Sequence, residues 1–241
     1  MTTTLLLFTL ISCLGMLVQS TVGFAGALLA VPLFAMLWPP REVVPIYILV
    51  MMTVNPLIIW EARKFVQWPI VRTLLITGFP ASLVGVWALD ILPTTYIRIF
   101  ISALTLIFGL LFLFQVPLRF SDTKIKRLFV GTLSGFLGGS IAASGPPVVL
   151  YGIAQQWKKN EMRATLLMFF FLLNLSSGIF SIARGMVTKN GLMMYAAAVI
   201  PVIVISRLGV YIKNRLNENI FRKAVLGVIL FVGTLGVINF R

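Results

Sequence analysis

Apolar residues in this chain come in long unbroken blocks, not in the alternation of a half-buried strand or the three-to-four spacing of a surface helix. The blocks cover residues 5–37, 43–60, 70–89, 97–116, 128–153, 164–183, 192–212 and 220–239. Most are close to the ~20 residues that carry a helix across a bilayer; the first and fifth are clearly longer. The fifth is interrupted by Gly138-Gly139-Ser140-Ile141-Ala142-Ala143-Ser144-Gly145-Pro146-Pro147. Gly145 can take backbone angles barred to other residues, Pro146 and Pro147 have no amide hydrogen to donate, and proline suits the first turn of a helix that follows a serine. The pattern predicts two half-helices meeting at a polar tip over residues 140–145, with a kinked but continuous helix packed through small residues as the alternative. Irregular backbone at membrane depth is tolerated only inside protein or beside a water-filled cavity, so such a tip is a place where something polar is held.

Composition adds the class. With 59% hydrophobic residues, 11% charged residues and a mean hydropathy of +1.03, the chain has too little polar surface to cover a soluble domain. It reads as an all-α polytopic membrane protein, a single membrane domain over residues 1–241. The first block is too long for a signal-peptide core and has no charged leader, so it is expected to be retained. The net charge of +14 would point to nucleic acid in a soluble protein. Here the basic residues crowd the segment ends, and the expected partners are the lipid bilayer and a small anion. There is no histidine, and Cys13 is the single cysteine. An internal disulfide is therefore excluded, a metal site is unexpected, and every nucleophile arrangement that relies on histidine is missing. The expectation is a protein without cofactor or enzymatic activity, working as a monomer or homodimer.

Sliding the chain along itself by 119 positions brings Gly26 onto Gly145, Trp38 onto Trp157, Glu42 onto Glu161 and Asn55 onto Asn174 without a gap. After small insertions the match continues: Ala62-Arg63 meets Ala183-Arg184, Pro80 meets Pro201, Arg98 meets Arg222 and Gly109 meets Gly233. Chance similarity between Leu and Val runs does not supply matching Trp, Glu, Asn, Pro and Arg. The chain reads as two copies of one four-segment unit, residues 1–116 and 128–241, joined by a cytoplasmic linker at 117–127. The tip at 140–145 thereby gains a partner at 21–26.

Charge decides the orientation. If every block crossed fully, the 20 Lys and Arg would divide ten to ten, ignoring the cytoplasmic enrichment of basic residues in membrane proteins. If residues 128–153 enter and leave on one side, the cytoplasmic face holds Arg63, Lys64, Arg72, Arg119, Lys124, Lys126, Arg127, Lys158, Lys159, Arg163, Arg207, Lys213, Arg215, Arg222 and Lys223. Arg41, Arg98, Arg184, Lys189 and Arg241 stay outside, a split of fifteen to five. The expected architecture is two inverted repeats, each a broken, re-entrant helical hairpin followed by three transmembrane helices, with both termini outside. An arm such as residues 26–37 would rise about 18 Å, roughly half the hydrocarbon core, so each arm is expected to reach the middle and stop.

Residue types say what meets there. The second arms begin near Ser20-Thr21 and Ser144-Gly145, where unpaired amides and the positive helix end face the tip. Hydroxyls of Ser20, Thr21, Ser140 and Ser144, with Gly26 and Gly145 allowing close approach, suit the oxygens of a sulfonate or carboxylate; simple capping is the other reading. Asn55 and Asn174 sit mid-segment at equivalent positions, either as glue between helices or as paired substrate ligands. Arg163 either anchors its segment or draws anions toward the site. The six acids, Glu42, Glu61, Asp90, Asp122, Glu161 and Glu218, all fall at segment ends or in loops. No proton relay is evident, so facilitated or potential-driven anion movement is favoured, with Glu42, Glu61 and Glu161 the only candidate coupling acids.

These residues resemble the TauE/SafE family of sulfite and organosulfonate exporters over nearly the whole chain. The resemblance rests on the duplicated unit and on the glycine-rich start of each half followed by proline. Here these are Gly23-Phe24-Ala25-Gly26 with Val31-Pro32-Leu33, and Gly135-Phe136-Leu137-Gly138-Gly139 with Ser144-Gly145-Pro146-Pro147-Val148. Glu161-Met162-Arg163-Ala164-Thr165 resembles the family's basic connection into its next helix. The resemblance implies a multi-pass protein of the bacterial cytoplasmic membrane that exports small sulfur-containing anions. The alternatives are an anion channel or facilitated-diffusion pore, and an importer of a small organic anion.

Overall fold

The computed structural model describes residues 2–114, 121–212 and 218–239, and every regular element in them is helical. The first half holds α1 (Thr2–Val22), α2 (Gly26–Leu37), α3 (Pro40–Ala62), α4 (Trp68–Ile91) and α5 (Thr94–Leu113). The second holds α6 (Lys124–Ile141), α7 (Gly145–Ala154), α8 (Lys159–Ala183), α9 (Lys189–Ile212) and α10 (Glu218–Asn239). Of the basic residues used for orientation, Arg119, Lys213, Arg215 and Arg241 lie outside the described residues. So do residues 117–120 of the linker and the side chains of Glu61, Glu218, Arg222 and Lys223.

Proline opens α3, α4 and α7, where the missing N–H would have had no helical partner in any case. Thr123 opens α6 by accepting from the Lys126 backbone N–H at 3.4 Å. Among the described residues six helices are long and apolar enough to cross a bilayer: α1, α3 to Trp60, α4, α5, α8, and α9 to Tyr211. Leu6, Leu10, Ile76, Ile107, Ile200 and Val204 point outward from them and are exposed, as side chains facing lipid should be. The chain is a multi-pass membrane protein.

Both long apolar blocks break and turn back. In the first, the ring of Phe8 stacks on Phe34 at 4.9 Å, and Gly15 faces Ala30 while Gln19 faces Gly26. That is the register of an antiparallel hairpin, not of a kinked helix. Positive φ falls on Gly23 (93°) and Ala25 (73°), and in the second break on Ala142 (57°). Gly145 was expected to carry such angles and does not; the reversal is complete one residue before α7 begins. The second arms, 12 and 10 residues, have the expected half-depth length. The first arms are longer, 21 and 18 residues, because no breaker interrupts α1 before Gly23 and α6 starts back in the polar run Lys124-Ile125-Lys126-Arg127.

The helices pair across the two halves. α1 packs along α9 as α6 packs along α4, α3 crosses α8, and α5 lies against α10, so exchanging the halves leaves this scheme in place. Starting points agree with the sequence offset: α2 and α7 begin at Gly26 and Gly145, α3 and α8 at Pro40 and Lys159, in both cases 119 positions apart. The α4–α6 crossing is the tightest. Gly131, Gly135 and Gly139 present a smooth stripe to Leu74, Gly78 and Ser82, and a Cβ at any of the three would come within 2.3 Å of a carbonyl oxygen of α4.

The charged contacts gather at the two ends of the bundle. At one end the buried Asp90 carboxylate pairs with Arg41 at 2.7 Å and accepts from Arg184 Nε at 2.8 Å. At the other, Gln67 donates to Glu161 at 2.9 Å, next to Arg63, Lys64 and the start of α8. The open end of the α6–α7 hairpin is clamped by Asp122, which accepts from Arg127 Nε at 2.8 Å and from the Tyr151 hydroxyl. The Arg127 guanidinium holds the Asp122 carboxyl below the usual carboxylate range. A depressed acid stabilises the fold above its ordinary value and loses that contribution only as pH falls through the folded one. The clamp is therefore expected to be unchanged by acidification from pH 7.5 to about 5, as read by thermal stability in detergent.

Candidate functional site

The two breaks, far apart in sequence, converge. Ala25, Ala27 and Leu28 of the first and Ala142, Ala143, Ser144, Gly145 and Pro146 of the second line one small space, closed by Gln19, Met51 and Phe170. Its volume is about 10 Å³, at the lower limit for a single water. The tips are in contact: a Cβ on Gly145 would lie 3.2 Å from Phe170 Cζ and 3.8 Å from Phe24 Cβ. Gly145 thus sits where the first break and α8 approach it closely. Gly26 differs, because its Cβ would meet Gly15 O at 2.4 Å and Gln19 Cβ at 2.8 Å. It packs the two arms of its own hairpin together and does not line the space between the tips.

One helical turn beyond Met51 and Phe170 lie Asn55 and Asn174, 0% and 1% exposed. Gln19, 2% exposed, donates its amide to Asn55 Oδ1 at 3.0 Å. The Nδ2 groups of both asparagines are buried without a hydrogen-bond partner. An unmet buried amide costs about 1–3 kcal/mol, so each is a donor in want of an acceptor. The halves differ here: the position equivalent to Gln19 is Gly138, which has no side chain to offer Asn174.

The hydroxyls are mostly spent on their own helices. Ser20 and Thr21 donate to Leu17 O at 3.1 and 2.6 Å, and Ser140 donates to Phe136 O at 2.7 Å. In this conformation they are satisfied within their own helices and cap no helix start, because a hydroxyl in an apolar helix finds its nearest acceptor one turn back. Ser20 also faces α9, where a Cβ on Gly209 would meet its Oγ at 1.9 Å, and Ser140 sits in the α4–α6 crossing beside Gly85. Ser144 is the exception. It lines the space between the tips and makes no cap bond.

A larger cavity, about 290 Å³, opens next to the first break and is lined by Thr21, Val22, Phe24, Val149, Ile153, Trp157, Lys159, Met162, Arg163 and Leu166. Arg163 holds the tip itself: its guanidinium donates to Ser20 O at 2.8 Å, and its Cγ would lie 3.2 Å from a Cβ on Gly23. It takes no part in lining the space between the tips. Phe24 lines this vestibule on one side and touches the opposite tip on the other, leaning on Phe112 at 5.1 Å. Gln19, Phe24, Trp157 and Lys159 belong to the region although the sequence reading gave none of them a site role. For Gln19 a signal exists, a long amide in an otherwise apolar helix; Phe24, Trp157 and Lys159 show in the sequence only through the glycine motif, the repeat and the charge count.

The arrangement offers a polar, cationic mouth, an aromatic barrier and a tight space between two helix N-termini. Of these, α2 is the better supplied. Gly26, Ala27 and Leu28 all carry amide hydrogens, whereas Pro146 and Pro147 remove two from the first turn of α7.

The family described as sulfite exporter TauE/SafE matches residues 7–235 of this chain. A relative described as a probable sulfite/organosulfonate exporter TauE, from Cupriavidus necator, is 26% identical over 175 residues, covering 70% of this chain and 68% of the relative. No solved structure matches.

Proposed function

The chain belongs to the TauE/SafE sulfite exporter family, and from that premise we propose that it is a secondary transporter exporting sulfite or an organosulfonate through a site between its two helix breaks. The observation that carries this reading is the meeting of the breaks. Two discontinuous segments from the two halves bring their helix N-termini together in the interior, the construction recurrent in carriers for anions. The substrate enters from the cytoplasm through the vestibule of Lys159 and Arg163, passes Phe24, and is held by the α2 and α7 amides, Ser144, and the asparagine donors. Glu42, Asp90 and Glu161 lie in terminal helical turns and Asp122 precedes α6, so none of these four described carboxylates is called on as a relay. An inside-negative potential moves each anionic charge outward with about 2.3 kcal/mol per 100 mV. Efflux from proteoliposomes with sulfite, sulfoacetate, taurine, acetate and chloride tests the reading. Sulfite or sulfoacetate flux that rises with inside-negative potential is expected; chloride flux alone would overturn it in favour of a channel.

The topology proposed with it is inverted: both hairpins are re-entrant, residues 1–116 and 128–241 are the two repeats, the linker is cytoplasmic and the termini are outside. Support comes from the polar ends of the bundle. Arg41 and Arg184 meet at Asp90, and Gln67 meets Glu161. The fifteen-to-five arrangement puts the partners of each contact on one side; eight full crossings would leave Arg41 with Asp90 but set Arg184 opposite them and Gln67 opposite Glu161. Cysteines at positions 158 and 189 on a Cys13→Ser background are expected to label from opposite faces. Labelling of both from one face would remove the inverted arrangement.

A further inference from the structure

In the proposed export and inverted topology, on which this inference rests, the vestibule has a repeat-related counterpart facing the outside, and there the space is filled. Shifted back by 119 positions, Ile153, Trp157, Met162, Arg163 and Leu166 become Phe34, Trp38, Val43, Val44 and Tyr47; shifted forward, Thr21 becomes Ser140. The first set borders the open cavity of about 290 Å³. Of the second, Phe34, Val43, Val44, Tyr47 and Ser140 are all 0 or 1% exposed. The filling is aromatic. Phe34 stacks on Phe8 at 4.9 Å, meets the edge of Tyr47 at 5.3 Å and leans on Trp38 at 6.3 Å. The same offset places Arg127 and Ile153 where the first half has Phe8 and Phe34, so the stack has no equivalent on the cytoplasmic side. One atom does not suit a permanent seal. The Tyr47 hydroxyl is buried beside these rings without a hydrogen-bond partner, although a buried tyrosine ordinarily finds one and phenylalanine would pack as well. Carriers built from inverted repeats open to the two sides in turn as one half rocks against the other. A donor held unpaired in the closed half gains a partner once that half opens.

We propose that Phe8, Phe34, Trp38 and Tyr47 are the outer gate, that their separation opens an outer vestibule equivalent to the inner one, and that the Tyr47 hydroxyl donates to the departing anion there. Val43 and Met162 are repeat equivalents on the two sides. Single cysteines at these positions on a Cys13→Ser background, in proteoliposomes of the full chain, read both sides with a membrane-impermeant methanethiosulfonate. Without substrate, Met162→Cys is expected to react from the cytoplasmic face and Val43→Cys to be protected from the outer face. Loading with sulfite is expected to raise Val43→Cys labelling by about fivefold or more while Met162→Cys labelling falls. Protection of Val43→Cys during measurable sulfite efflux overturns the gate and leaves the export reading standing. Labelling that rises at both positions together also overturns it, in favour of a continuous pore, and absence of any anion flux overturns gate and export alike. Tyr47→Phe separates the hydroxyl from the ring. Removing the unmet donor is expected to raise the melting temperature in detergent by about 2–4 °C, and its loss from the exit path to slow sulfite efflux about tenfold. Higher stability with unchanged efflux would make the ring a seal alone and overturn the donor role of Tyr47.

Discussion

Gly145→Val is expected to abolish anion flux in proteoliposomes while leaving the protein inserted and monodisperse in detergent. The first added carbon would already lie 3.2 Å from Phe170 Cζ and 3.8 Å from Phe24 Cβ, and the space between the tips is about 10 Å³. Two further methyl groups fill it and wedge Phe24 against its neighbours. The damage stays local, because the first contact is the far end of a ring and not backbone, and the surrounding helices do not depend on this residue. Ser144→Ala is expected to do less. Loss of one hydroxyl bond to a charged ligand is worth roughly 1.5–3 kcal/mol, a tenfold to hundredfold fall in affinity with expression preserved. Normal transport by Gly145→Val would mean that the contact between the tips lies off the path; the route would then be sought around Asn55 and Asn174.

Gly139→Val is expected to act on the fold instead, with little or no folded protein recovered. A Cβ there would sit 1.9 Å from Ser82 O and 2.9 Å from Val86 N. Both atoms are backbone, so neither can rotate away, and relief requires that α4 and α6 separate along their longest contact. Overpacking commonly costs about 1–3 kcal/mol, and a backbone clash lies at or above the upper end of that range. Gly227, with nothing within 4 Å of its added Cβ, is the control. Gly227→Ala should leave thermal stability unchanged or raise it slightly, since alanine is the better helix former. Wild-type yield and melting temperature for Gly139→Val would show that the crossing is looser than its geometry implies.

The membrane class, the two breaks and the pairing of positions 119 apart were all legible in the chain, for a local reason. Lipid-facing helices leave long apolar blocks, and a helix must stop where glycine and proline withdraw its angles and donors, whatever lies around it. Gly145 and Gly26 look alike on that basis. Only the tertiary structure separates them, because one meets the opposite tip and the other the arm of its own hairpin. The same holds for the hydroxyls: composition shows that Ser20, Thr21 and Ser140 exist near the tips, but the helix face each occupies turns its donor back to a carbonyl one turn away. Gln19 reaches Asn55 across 36 positions, and the vestibule joins Thr21 to Leu166. Neither leaves a mark in a window of a few residues. Backbone preference acts over three or four positions, whereas a cavity is the distance between surfaces that meet only once the bundle has packed.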